Sequence, residues 1–453
     1  MVLAELSAST IYHYRVLSGD SSGNLSVSSD ATFTTPAAGP GTTYYVDQMN
    51  CSDSFAGSAA QPWCTLGRAS RTLIAGDTVF VRPGIYHESI TPPSGSSSAY
   101  ITYQGLPGAV LDGNGTSVNG QAFNIGTQAY LIISGFEVRN YLNPRPAGNS
   151  INVYGTAHDI ELTNLTVHDN WNGIIMSNDA HNIVINDCLV YNSRYGVGLE
   201  NTVHDVFITR VTSHSNKETY IGPVSSYGNG DGFSVDSGTS HLFIRESEAY
   251  DNLDGGFDIK AALFECTSCV SRQNTKYGFR LWGDGGPYTL ANSVAYGNGL
   301  AALQPQATAQ NTFFYNSTFA AKTGDEGYIM EGPLLTVTMR NCILFGFAQQ
   351  VVSGGYTILD EDYNLYYSQQ GSPGFTLGLH SQIADPMFVS SASNNYHLQA
   401  ASPAIDAGLT VPLVVADLDG VLRPQGSGYD IGAYEFSVTR PNPPTGLHIT
   451  SVQ

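Results

Sequence analysis

An all-β solenoid of stacked parallel coils is the fold this sequence predicts, on three observations. Gly-Phe pairs stand at 232/233, 256/257 and 278/279 inside "DGFSVD", "DGGFDIK" and "YGFRLW", so this stretch repeats at intervals of 24 and 22 residues. A period in the low twenties is one coil of a solenoid whose rungs stack. Asn170, Asn192, Asn216, Asn252, Asn274 and Asn298 carry the same register further, with one interval of 36 where "KETYIGPVSSYG" intervenes. A stacked Asn can bond its amide to the coils above and below, satisfying turn backbone that no ladder reaches. Composition agrees: 49 of 453 residues are Gly and 12% are charged, which suits short strands and tight turns. A Greek-key sandwich with regular turns would need no register of identical residues.

The elements follow in chain order. Residues 1–36 resemble the last strands of a fibronectin type III module, with Leu6, Thr10 and Tyr12 in the places of its L-x-x-x-T-x-Y corner. Residues 37–42, which include "AAGPG", read as a linker. "TYYVD" is expected as a strand, "PWCTLGRASRTLIAGD" as a short amphipathic helix capping the apolar end of the solenoid, and "TVFVRPGIY" as the first coil. The repeats follow, and the coiled domain extends over 43–436. "DYNLYY", "DPMFV" and the acidic, turn-rich stretch to "GAYEF" are expected as the last coils and a C-terminal cap. Residues 437–453 read as a second linker and the start of another fibronectin-like module. The chain is thus expected to be part of a longer modular, secreted protein, monomeric, with any export signal upstream of Met1.

Cys51 and Cys64 enclose a short polar loop and are expected to form a disulfide, consistent with secretion. Cys266 follows an apolar strand in the repeat frame and Cys188 sits at nearly the same place, so the C-x-x-C of Cys266 and Cys269 reads as small buried apolar residues. No run of 18 apolar residues predicts a membrane span. The formal net charge of −20 disfavours nucleic acid and anionic membranes. Against that acidity, Arg194, Arg210, Lys217, Arg245, Lys260, Arg272, Lys276 and Arg280 concentrate 8 of the 18 Lys and Arg in one stretch.

Strand alternation places Phe257 and Ile259 inward and Asp258 and Lys260 outward. One outward column is then Ser234, Asp258, Arg280, and the next is Asp236, Lys260, Trp282. With coils ~4.8 Å apart, Arg280 lies within one rung of Asp258. Asp254, just before its strand, can converge with Asp231 and Asp258. Three carboxylates at such range repel unless a cation neutralises them, and calcium tolerates an irregular oxygen shell. A plainer reading has these Asp residues capping turns, with Asp258 paired to Arg280. His214, near the insertion, reads as a turn residue.

"TYYVD…GSAAQPWCTLGRA…AGDTVFVRPGIY", "DGGFD" and "NYHLQAASPAIDAG…DLDGVLRPQGSGYDIGAYEF" resemble bacterial right-handed parallel β-helix proteins, most closely polysaccharide lyase family nine, the pectate lyases of that type. The resemblance runs from about Thr43 to Phe436. It implies calcium held by aspartates of adjacent coils, including a D-D-G-[FY]-D run, and a Lys in a later G-F-K-L-G segment that removes the proton. Carried onto this chain, Asp231, Asp254 and Asp258 are the expected calcium ligands, with Gly255 replacing the second Asp of the run. Arg280 replaces the Lys, so Arg280 is the expected base and Lys260 the reserve. Lys276, Arg245, Lys217, Trp282 and Tyr277 are expected to bind the polymer. The implied function is calcium-assisted β-elimination on a uronate polysaccharide, pectate by default. A β-helix hydrolase using paired Asp residues and a non-catalytic glycan-binding module are the other classes carried, although the N-T-D, D-D, G-H-G and R-I-K motifs of the polygalacturonase-type hydrolases are absent.

Overall fold

The computed structural model describes residues 11–14, 17–19, 25–34, 41–114, 120–142, 148–217, 229–283, 286–305, 311–321, 330–331, 336–347, 352–353, 358–368 and 373–437. Leu6 and Thr10, most of the 217–230 insertion and the fibronectin-like C-terminal segment lie outside them. Tyr12 sits in Ile11–Tyr14, paired antiparallel with Ala31–Thr34.

The coils are parallel, as the repeat requires. Among the described residues their rungs build two sheets of 13 strands that run the length of the coils and a third of 8 strands over the central ones. The eight-stranded sheet runs from Phe123–Ile125 to Ala301–Pro305 and includes Val197–Glu200, Phe233–Val235, Phe257–Ile259 and Tyr277–Leu281. The inward Phe233, Phe257 and Phe279 stack with centroids 4.7 Å apart at each step and are wholly buried. One continuous apolar core fills the interior from Val46 to Tyr366. No helix among the described residues is long and apolar enough to cross a membrane.

The asparagine ladder forms with one change. Asn216, Asn252 and Asn274 each donate Nδ2 to the Oδ1 of the Asn on the next coil at 2.9 Å, ending on Asn298. Asn192 is not in that line. Ser193 takes the ladder place, its N–H donating to Asn216 Oδ1, while Asn192 turns the backbone at φ 49° beside Asp169 and Ser215. The apparent spacings of 22 and 24 around Asn192 conceal two equal steps of 23.

Among the described residues α-helix forms only over Leu66–Ser70, capped by Thr65, whose hydroxyl accepts from the Arg68 N–H. It is shorter than the predicted segment, and its buried Leu66 and Ala69 join the main core beside Val46 and Trp63. Cys51 and Cys64 form a disulfide with Cα atoms 5.0 Å apart. Cys188, Cys266, Cys269 and Cys342 are free and buried.

The C-terminal stretch lies along the flank of the solenoid. Phe388, Tyr396, Ala404 and Ile431 pack on the outward Val294, Ile343 and Leu365 to make a second core. Asn341 Nδ2 donates to the Leu409 carbonyl, and the Ala433 N–H donates to Thr318 Oγ1. The physical reason is visible in the rungs: outward positions that hold Glu137 and Glu248 in earlier coils become Val294, Ile343 and Leu365 in later ones. Those side chains need cover.

Candidate functional site

Strand register brings the predicted columns together. Ser234 pairs with Asp258 and Asp258 with Arg280 on the eight-stranded sheet, and Asp258 faces outward between the buried Phe257 and Ile259. Asp231 precedes its strand by two residues and Asp254 by three, so the turns before two neighbouring rungs carry them.

Each acid is held differently. Asp231 is buried and its Oδ1 accepts the Gly255 N–H at 2.8 Å. Burial first, then the charges of Asp258 and Asp254, push its carboxyl well above the ordinary range. Asp254 Oδ1 lies 3.1 Å from Lys276 Nζ, and burial raises its carboxyl although Lys276 opposes that. Asp258 accepts from Trp282 Nε1 and has Lys260 Nζ 3.5 Å from Oδ2. Lys260 Nζ also lies 3.6 Å from Asp236, so this lysine, 17% exposed, bridges two carboxylates on neighbouring rungs.

Arg280 is placed otherwise. Its guanidinium carbon lies 4.2 Å from the Trp282 ring centre and 4.9 Å from that of Tyr277. No carboxylate among the described residues lies within 4.0 Å of it, and its Nε is buried without a hydrogen-bond partner. The Asp258–Arg280 pair of the plainer reading is therefore not formed, because Lys260 and Trp282 occupy Asp258. Lys260 Nζ also lies over the half-buried Trp282 ring, 4.5 Å from its centre.

Not every expected residue joins this group. Arg245 lies at the end of a strand in another sheet, 52% exposed and paired with Glu265 at 3.0 Å, so it is not brought to the acids. Lys217 is exposed at the edge of the insertion, its N–H donating to the Ser193 carbonyl. His214 is neither a turn residue nor near the acids; it stands in the strand Thr212–His214, stacked between Tyr191 at 5.0 Å and Tyr250 at 4.5 Å. Burial lowers its basicity.

The donor set of three carboxylates has the chemistry a hard cation needs. Its placement does not: among the described residues no three acidic, histidine or cysteine side chains gather at metal-binding range. Lys276 and Lys260 neutralise Asp254 and Asp258 instead. A cleft of about 700 Å³ lies elsewhere, between Glu246, Glu248 and Asn292 and the segment 413–420, and touches none of Asp231, Asp254 and Asp258. Sequence reasoning passed over a smaller feature on the site's own sheet, a notch of about 100 Å³ at Gly198. A Gly in an outward column between larger residues was its available signal.

Residues 44–346 match a family model described as the Pel9A-like, right handed beta helix region. Among solved structures, the pectate lyase Pel9A is similar over 87% of this chain and 96% of its own, at 16% identity and a TM-score of 0.51. XylC in complex with xylose is similar over 87% and 98%, at 12% identity and the same TM-score of 0.51. At those identities the likeness is one of fold. No curated protein matches the sequence.

Proposed function

The chain belongs to the Pel9A-like right-handed β-helix family, and from that premise we propose that it is a polysaccharide lyase that cleaves a uronate polymer by β-elimination. One observation carries the reading. Arg280 presents a guanidinium with no carboxylate partner among the described residues, on the outer face of the sheet and one rung from a cluster of acids and lysines.

An uncommitted guanidinium matches a carboxylate bidentately. Arg280 would bind the C6 carboxylate of the uronate and stabilise the charge that grows there as the C5 proton leaves. A guanidinium stays protonated, so the proton needs another acceptor; Lys260, beside Arg280 on the Trp282 ring, is the proposed one, in the amine form that has first released its own proton to solvent, since the ammonium paired with Asp258 and Asp236 has no lone pair. The electron pair of the C5–H bond forms the C4–C5 double bond as the C4–O4 bond breaks. The departing oxygen takes a proton from solvent water, leaving one new reducing end and one unsaturated end. Asp258 positions Lys260 and Trp282, and Lys276 with Asp254 shapes the rim.

Calcium at Asp231, Asp254 and Asp258 is a separate proposal, and no step above runs through it. To bind there, the ion would displace Lys260 and Lys276 from their carboxylates. Secretion and pectate as the polymer are proposed on the same family ground. The test is direct: incubate the protein with polygalacturonate and other uronate polymers, with calcium or with chelator, and follow the ultraviolet absorbance of unsaturated ends. Absorbance supports the lyase, and its loss in chelator supports the calcium site. New reducing ends without absorbance would mean a hydrolase, and neither signal would sink the enzyme reading.

A further inference from the structure

At the corner where the coils pass from one 13-stranded sheet to the other, the flank segment 413–420 leaves a cleft of about 700 Å³ against the solenoid. Its coil wall comes from successive rungs. Arg245 pairs with Thr267 and Thr267 with Ala291, and the residues that follow them, Glu246, Ser268 and Asn292, all line the cleft. Each of the three turns the corner in left-handed backbone, at φ 48°, 58° and 52°. At ~4.8 Å per rung, Glu246 and Asn292 stand roughly 10 Å apart.

Two oxygens on this wall lack a donor. Asn292 is 3% exposed; its Nδ2 donates to Ser268 Oγ at 2.9 Å, while its Oδ1 is buried without a hydrogen-bond partner. Thr267 Oγ1, on the same wall, is also buried and unpaired. Buried acceptors are costly to leave unmet, so a ligand that brings N–H groups gains here. The carboxylates add a charge preference. Glu248 pairs with Arg272 at 2.6 Å and Asp419 with His397 at 2.7 Å, but Glu246 is exposed and has no ion-pair partner among the described residues. The guanidinium on the lining, Arg210, gives two of its donors to Asp187 at 2.6 and 2.8 Å. Across the cleft, the flank presents Leu413 and Val415, 44% and 59% exposed.

We propose that this cleft docks a short, extended, basic segment of a partner polypeptide. Its cation sits on Glu246, a peptide N–H serves Asn292, and an aliphatic side chain packs on Leu413 and Val415. Three extended residues span roughly 10 Å, the distance between the two polar ends. The cleft's volume suits a ligand of that size. A metal ion is poorly matched, since no three acidic, histidine or cysteine side chains gather at binding range among the described residues. A sugar is poorly matched too, because the lining offers no aromatic ring for a pyranose face. The cleft touches neither Arg280 nor Lys260, so the docking stands apart from the cleavage reading.

The experiment titrates the full chain calorimetrically with an acetylated, amidated Lys-Leu-Lys-Leu peptide and with its Glu-Leu-Glu-Leu counterpart. The basic peptide is expected to bind with a Kd below about 1 mM, and the acidic one to give no saturable heat. Glu246→Lys on one wall and Val415→Lys on the other should each weaken binding by about tenfold or more. Both positions are exposed, and circular dichroism confirms that the coils persist; either variant serves if the other does not fold. Asp179→Lys reverses a carboxylate 60% exposed at another corner of the coils and controls for the net charge of −20. It should leave the affinity within about twofold. No saturable binding of the basic peptide, equal affinity for both peptides, or an equal loss in Asp179→Lys and Glu246→Lys overturns the proposal. Displacement of the bound peptide by calcium at constant ionic strength, or by neutral xylohexaose, would give the cleft to a metal or a glycan and overturn it as well.

Discussion

Two charged clusters in this molecule are built on opposite plans. Near the C-terminal end, Arg423 and Glu435 pair at 2.8 Å with both side chains at 0% exposure. Arg423 also donates to the Asp430 and Gly432 carbonyls, and the N–H groups of Gln425 and Asp430 donate to Glu435. On the site sheet the lysines stand 3.1 to 3.6 Å from their acids and Arg280 has no acid at all among the described residues. The first arrangement commits its charges to one packing of the flank. The second leaves a cation over for something outside the chain. Both arginines bury an Nε without a hydrogen-bond partner, so the difference lies in the carboxylate: Arg423 has one and Arg280 has none within 4.0 Å among the described residues.

Removing Arg423 breaks the first plan most severely. Arg423→Met leaves Glu435 buried without its cation and should cost about 3–5 kcal/mol in chemical denaturation. A loss under about 1 kcal/mol would show that the flank does not depend on the pair. At the site, Arg280→Ala should lower kcat/KM for unsaturated-end formation by about 10²–10³ while the thermal midpoint stays within a few degrees. If Arg280→Ala keeps substantial turnover and Lys260→Ala does not, the two roles are to be exchanged. Asp258→Ala, which releases Trp282 and leaves Lys260 with Asp236 alone, should abolish activity with the coils still folded.

A third test uses pH. Burial raises the Asp430 carboxyl to about 6, from an ordinary value of 3.8. A raised carboxyl favours the fold fully below its unfolded pKa and loses that contribution as pH rises through the folded one. Stability at the flank should therefore fall by roughly 2–3 kcal/mol between about pH 4 and pH 7. Hydrogen exchange of residues 404–436 reads this, and protection that is flat or rises with pH would contradict it. The smallest effect belongs to the ladder. Asn252→Ala removes the acceptor for the Asn216 N–H and the donor to Asn274, and should cost about 1–3 kcal/mol without touching activity.

How far the sequence revealed this molecule depended on the range of the interactions involved. Alternation along a strand and the spacing of Gly-Phe pairs are local, so the inward Phe stack and the Ser234–Asp258–Arg280 column could be read directly. Asn192 was misplaced because a ladder tolerates Ser193, and the two neighbouring coils compensate in length. The partners of Asp258 were not readable. Lys260 and Arg280 both reach it in principle, and only packing against Trp282 selects Lys260. The course of the C-terminal stretch was legible in part: Val294, Ile343 and Leu365 at outward positions announce a covered face, but nothing local names the segment that covers it.

The indole of Trp282 has a further use. It is one of three tryptophans in the chain, and it touches Lys260, Arg280 and Asp258 at once. Trp171 carries Arg194 of the notch at 5.8 Å, while Trp63 is buried against Tyr44 far along the coils. Indole emission responds to nearby charge, so Trp282 is a native optical gauge of the Arg280 site. A polymer that engages Arg280 will register at Trp282. Comparison of the unaltered protein with Trp282→Phe can then isolate that event without a label.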